Sequence, residues 1–131
     1  MKYLSILFLL ALCMVAKAQT LTHEMTIGFS SHSYQTDAAP IHQTLDSLKA
    51  AYPNSNISPI LIHGYSWETT SILGVPVPLC GLRSDEVKSI INKWEDNQGQ
   101  GLSLSIPTNC TTTQRSGPAS QKVVVRFDIF L

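Results

Sequence analysis

Between Ile57 and Tyr65 the chain carries Ile57, Ile60, Leu61, Ile62 and Tyr65, a nearly continuous apolar run of strand length. Such a run is the signature of a strand covered on both faces, and it belongs inside a sheet rather than at its edge. Leu82, Val87, Ile90, Ile91 and Trp94 then recur at helical spacing. Past the Asn97 to Gly101 turn, Leu102, Leu104 and Ile106 alternate with serines. A strand, a helix and a second strand in this order form a crossover, which joins parallel neighbours and lays the helix on one face of the sheet.

The remaining periodicities complete a single domain. Leu21, His23, Met25, Ile27 and Phe29 alternate with polar residues, as in a half-buried strand. Thr36 or Asp37 can cap a helix whose first turn admits Pro40, and Ile41, Leu45, Leu48 and Tyr52 form its apolar stripe up to Pro53. Ser66 to Pro78 is rich in Ser, Thr, Pro and Gly and is expected to be a loop, as is the polar stretch Pro107 to Gln121. Val123 to Phe130 supplies a last strand. The expected fold is α+β, a two-layer sandwich of order β-α-β-α-β-β. Its mixed sheet carries both helices on one face, packed through Ile41, Leu45, Leu48, Val87, Ile90 and Ile91.

The first eighteen residues are set apart from that domain. Lys2 precedes an apolar run from Leu4 to Val15, and Ala16-Lys17-Ala18 supplies small residues before a cut, the pattern of a secretory signal. This assigns 1–18 to a signal peptide and 19–131 to one domain. The run is shorter than the roughly twenty residues of a membrane-spanning helix, and no later segment comes closer. Cys13 raises lipid attachment as a competing reading, but Leu12 stands where such sites carry Gly, Ala or Ser.

Export bears on charge and on cysteine chemistry. Without Lys2 and Lys17, the nine basic residues become seven against nine acidic ones, a formal net charge of −2. No basic cluster is present, so phosphate-backbone binding is excluded as a guiding idea and no nucleic-acid partner is expected. Cys80 and Cys110 remain, and an oxidising compartment favours their pairing; a parallel crossover brings the start of the second helix and the loop beyond the next strand to the same end of the sheet. His23, His32, His42 and His63 lack metal-ligand spacing, so no metal or other cofactor is expected. Neither a nucleophile elbow, nor a phosphate-cradling glycine loop, nor a close-set acid pair appears, and the sequence does not point to an enzyme.

Around the second helix, Leu79-Cys80, Arg83-Ser84, Val87 and Ile91 resemble the L-S-x-x-R-A-x-x-V-x-x-x-L stretch of OmpA-like domains, the peptidoglycan-associating modules of Gram-negative envelopes. Tyr52-Pro53-Asn54, the strand Ile60 to Ser66 with its Gly64-Tyr65-Ser66 turn, and Ser120-Gln121-Lys122-Val123 are similar to other family segments in the same order. The resemblance implies an OmpA-like fold in the periplasm or cell envelope, and a ligand, the diaminopimelate of the peptidoglycan stem peptide. There a carboxylate takes the ammonium while the helix arginine and helix amides take the carboxylate. Arg83 stands at the arginine position. Trp67 stands where the family has its aspartate, with Glu68 the nearest carboxylate; Pro76, Val77 and Pro78 replace the family's asparagine region, and Lys122 its last-strand arginines. The implied ligand-binding set is Arg83, Glu68, Trp67 and Ser66. Two functions follow: non-covalent peptidoglycan binding, or a degenerate OmpA-like domain that contacts another envelope protein. Trp67, Ile72, Leu73 and Val75 in the 66–78 loop favour the second.

Overall fold

The computed structural model describes residues 19–97 and 106–131. The expected signal segment, 1–18, and the Leu102 and Leu104 positions of the expected third strand lie outside the described residues. Eight elements follow in order: β1 (Thr20–Gly28), α1 (Ala38–Ala51), β2 (Asn56–Ser66), β3 (Thr69–Ile72), β4 (Val75–Pro78), α2 (Leu79–Asn97), β5 (Thr108–Thr112) and β6 (Lys122–Phe130), with a 3₁₀ turn at Pro118–Ser120. The main sheet has the order β1-β6-β2-β5. β6 runs antiparallel to both β1 and β2, and β5 is parallel to β2, so the sheet is mixed. The fold is α+β, with one hairpin more than the expected order.

The helices form as their sequences dictate. Asp37 caps α1, its Oδ1 accepting from the Ala39 N–H at 3.1 Å, and Tyr52 closes the helix by donating its N–H to Leu48 O. Ile41, Leu45 and Leu48 of α1 and Val87, Ile90, Ile91 and Trp94 of α2 are buried against Val123, Val125, Phe127 and Ile129 of β6. Each such side chain contributes about 1.5–3 kcal/mol when taken out of water. Polar ties fix the two helices to one another, because Trp94 Nε1 donates to Asp46 Oδ1 at 2.8 Å and His42 Nε2 lies 3.2 Å from Ile90 O.

β2 is interior, as the apolar run implies, but it is not covered on both faces. Pro59 pairs with Phe127 and Leu61 with Arg126, so Ile60 is an extra residue, a bulge that reverses the strand's phase. Ile57 and Ile62 both face the helices although they are five positions apart, an odd offset, whereas Leu61, His63 and Tyr65 are half-buried on the open face. The apparent continuity is two alternating halves out of phase.

Two further corrections concern segments expected to be loops. The strand parallel to β2 is Thr108–Thr112, within the stretch taken as a polar loop. Ile106 is buried but not in a strand. β5 is an exposed edge of β-branched and polar residues with no apolar alternation to betray it. Residues 69–78 form a hairpin, β3 and β4 pairing Ile72 with Val75 and Thr69 with Pro78 around Leu73 (φ 52°) and Gly74 (φ 81°). Positive φ at both turn residues makes this a type I′ turn, so Ile72 and Val75 are a hydrogen-bonded pair. Bonded and non-bonded pairs alternate, and Pro76 and Pro78 therefore fall in the non-bonded positions, where a missing N–H costs the hairpin nothing.

Candidate functional site

Arg83 lies on the same stripe of α2 as Leu79, Cys80 and Val87 and is fully buried. Nε donates to Ser33 O at 2.8 Å, Nη1 to Tyr65 O and Ser120 O at 3.2 Å each, and Nη2 to Ser30 O at 3.3 Å and Glu68 Oε2 at 3.5 Å. A guanidinium carries five N–H groups in a fixed fork, and here each has a protein acceptor. The cation also sits 5.4 Å from the centre of the Phe29 ring. Burial lowers the arginine's proton affinity and the Glu68 carboxylate raises it, with a net lowering from a very high ordinary value that leaves it charged.

Glu68 is 5% exposed, at the mouth of the hairpin. Its carboxylate accepts from the His32 N–H at 2.6 Å, Ser31 Oγ at 3.3 Å and Gln121 Nε2 at 3.4 Å, besides Arg83. Burial pushes its pKa up, but the His32 N–H, the Gln121 amide and the Arg83 charge together outweigh that and hold it below the ordinary carboxylate value. His32 adopts φ 58°, a left-handed conformation rare for a residue with a Cβ, in the Ser30–Ser33 turn that also supplies two carbonyls to Arg83.

Of the four residues singled out from sequence, three are buried, and two of these, Arg83 and Glu68, meet. Ser66 is fully buried, its Oγ accepting from the Cys80 N–H at 2.9 Å, so the end of β2 caps the start of α2. Trp67 points outward, 44% exposed. Gly64 is inside β2 rather than in a turn: a Cβ there would meet Cys80 O at 2.2 Å and Ser84 Oγ at 2.4 Å. The missing side chain lets α2 close onto the sheet. Cys110 pairs in register with Gly64, and its disulfide to Cys80 joins β5 to the start of α2, with the Cα atoms 5.1 Å apart.

Residues that sequence reasoning did not pick are Ser30, Ser31, His32, Ser33, Ser120 and Gln121. Ser30 to Ser33 reads as turn chemistry, yet nothing in the sequence aims those carbonyls at a helix half the domain away. The hairpin beyond Glu68 exposes Ile72, Leu73 and Val75, with Leu73 fully exposed. Among the described residues no three His, Cys, Asp or Glu side chains are placed to hold a metal ion. No helix among them is long and apolar enough to cross a membrane.

No family model matches the sequence, and no curated protein does. Among solved structures, the OmpA-like domain of FopA1 from Francisella tularensis subsp. tularensis SCHU S4 aligns over 86% of this chain and 75% of that one, with a TM-score of 0.54 and 14% identity. The chain thus has an OmpA-like fold.

Proposed function

We infer that the chain is an exported cell-envelope module of OmpA-like fold that engages another envelope protein, with the family's wall-binding corner closed by its own ion pair. The single observation behind this is the saturated guanidinium of Arg83. Peptidoglycan's diaminopimelate would need an arginine able to take a carboxylate and an acid able to take an ammonium. Here Glu68 and Arg83 serve each other, and both are out of solvent. Admitting a ligand would mean breaking a buried, hydrogen-bonded pair, at a cost of several kcal/mol before any contact is made.

What supports a protein partner is the hairpin. It carries no ionisable side chain from Thr69 to Pro78, and it displays Ile72, Leu73 and Val75 on a stalk beside the exposed Trp67. Leucine in a left-handed turn position is locally unfavourable and gains nothing from burial here, the kind of strain that accompanies a contact surface.

The test has two arms. Purified peptidoglycan sacculi should retain the protein no more than an unrelated acidic control at low salt, whereas retention of the folded wild type above that control would overturn the reading in favour of wall binding. A photo-crosslinking residue at position 73 should give one discrete protein adduct in producing cells, and the same probe at the exposed position 93 should not.

A further inference from the structure

The longest free edge of the main sheet belongs to β1. Leu131 donates its N–H to Gln19 O at 3.0 Å, and Phe29 donates to Gln121 O at 2.7 Å. Bonded pairs alternate along an antiparallel ladder, so the odd residues from 19 to 29 turn their backbone groups toward β6. Thr20, Thr22, Glu24, Thr26 and Gly28 therefore aim their N–H and C=O groups outward, along an edge that no strand covers among the described residues. Natural edges are guarded by proline, lysine or a bulge. β1 has none of these and its register is unbroken from Thr20 to Gly28; its one charged residue, Glu24, is paired with Arg126 of β6.

A cleft of about 280 Å³ follows half of this edge, between Met25–Gly28 and the start of α1 at Asp37, Pro40 and Ile41. It touches Thr26 and Gly28 as well as Met25 and Ile27, and no residue of β6 lines it, so it opens at the edge of the sheet where β1 meets α1. The single ionisable side chain on its walls is Asp37, which is exposed and commits Oδ1 to capping α1. An edge of unpaired amides and carbonyls beside a helix wall is the geometry of strand addition.

We propose that this cleft binds an extended segment of a partner protein as an added strand along β1, seating an aliphatic side chain against Pro40 and a basic one at Asp37. A second copy of this chain is the poorer occupant. Its β1 carries no Lys or Arg to set at Asp37, and a two-fold pairing of full overlap would place Glu24, each carboxylate held by its own Arg126 at 3.0 Å, opposite another Glu24. The proposal shares the protein-partner reading above but does not depend on the hairpin.

The experiment pans a phage library of random peptides against the full chain and measures the enriched sequences by fluorescence anisotropy. Enriched peptides should alternate aliphatic or β-branched residues and carry a Lys or Arg. Thr26→Pro removes an outward N–H that the ladder does not use, so it should weaken binding about tenfold or more while leaving the unfolding midpoint in place. Asp37→Asn keeps a good cap and should weaken basic peptides severalfold. Leu73→Asn should leave peptide affinity unchanged, which separates failure here from failure of the hairpin reading. The proposal falls if no sequence is enriched over panning against Thr26→Pro, or if enriched peptides bind the wild type and Thr26→Pro equally. It also falls if the wild type forms a dimer that Thr26→Pro abolishes, since that would seat a second copy on the edge.

Discussion

Replacing Arg83 distinguishes an arginine kept for a ligand from one that holds the fold together. An arginine waiting for an anion in solvent can be truncated at little cost to stability. Arg83 instead bonds the carbonyls of Ser30, Ser33, Tyr65 and Ser120 and pairs with Glu68, joining the loop after β1, the end of β2, the hairpin and the 3₁₀ turn. Arg83→Met keeps an apolar stem of similar reach but strands a buried carboxylate. Removing one partner of a buried pair costs about 3–5 kcal/mol, and carbonyls left without donors add about 1 kcal/mol or more. A total near 4–6 kcal/mol is expected, a large part of the 5–15 kcal/mol typical of a whole domain. Urea unfolding followed by tryptophan fluorescence measures it, since Trp94 is buried and Trp67 is not. Glu68→Gln in the Arg83→Met background should recover part of the loss, because a neutral amide is cheaper to bury than an unpaired carboxylate. Should Arg83→Met fail to fold, Arg83→Lys serves, keeping the charge without the fork and losing a smaller share. An Arg83→Met protein within about 1 kcal/mol of wild type, the scale of an exposed ion pair, would refute the reasoning and return Arg83 to the status of an available ligand group.

Three other outcomes are expected. Gly64→Ala drives a Cβ into the Cys80 carbonyl, backbone held by the disulfide, and should destabilise by about 1–3 kcal/mol or more; a thermal midpoint equal to wild type would show that α2 can retreat freely. Cys110→Ser opens a ring closed across a separation of 30 residues, and should cost about 3–4 kcal/mol in the loop-entropy picture, read from the shift in urea midpoint against wild type without reductant. Glu95 is buried, and burial first, then Asp96, pushes its pKa up; its Oε2 has no partner among the described residues. A folded acid that holds its proton more tightly loses stability as pH rises from the unfolded value near 4.5 through the folded one. Glu95→Gln should therefore be more stable than wild type at neutral pH and should flatten that decline, which a series of melts across pH would show.

How far the sequence discloses this molecule depends on which force shapes each part. The helical stripes and the alternation of β6 are written in apolar spacing because burial in one core selects them directly. β5 and the hairpin leave no such trace. Thr108 to Thr112 is a strand through its ladder to β2, and Thr69 to Pro78 is a hairpin through turn geometry at Leu73-Gly74, where Leu replaces the usual Asn or Asp. Ile60 shows the opposite error, in which a bulge joins two alternating halves into one apparent run. At the candidate site, Arg83, Glu68 and Ser66 are recognisable by type and position, but their role turns on Ser30 to Ser33 and Gln121, brought in from distant segments. Only the folded arrangement reveals that the arginine's donors are already spent.

The two prolines of β4 have a consequence for how this molecule can grow. Being in non-bonded positions, Pro76 and Pro78 would have directed their N–H groups away from β3, toward any strand arriving on the far side. Those donors do not exist. A newcomer there would meet carbonyls without amides, while the β3 side still offers Thr69 and Ser71. The exposed hairpin is thus one-sided: it can accept a single neighbour and cannot pass the ladder on, so contact through its edge ends in a finite complex instead of a fibre.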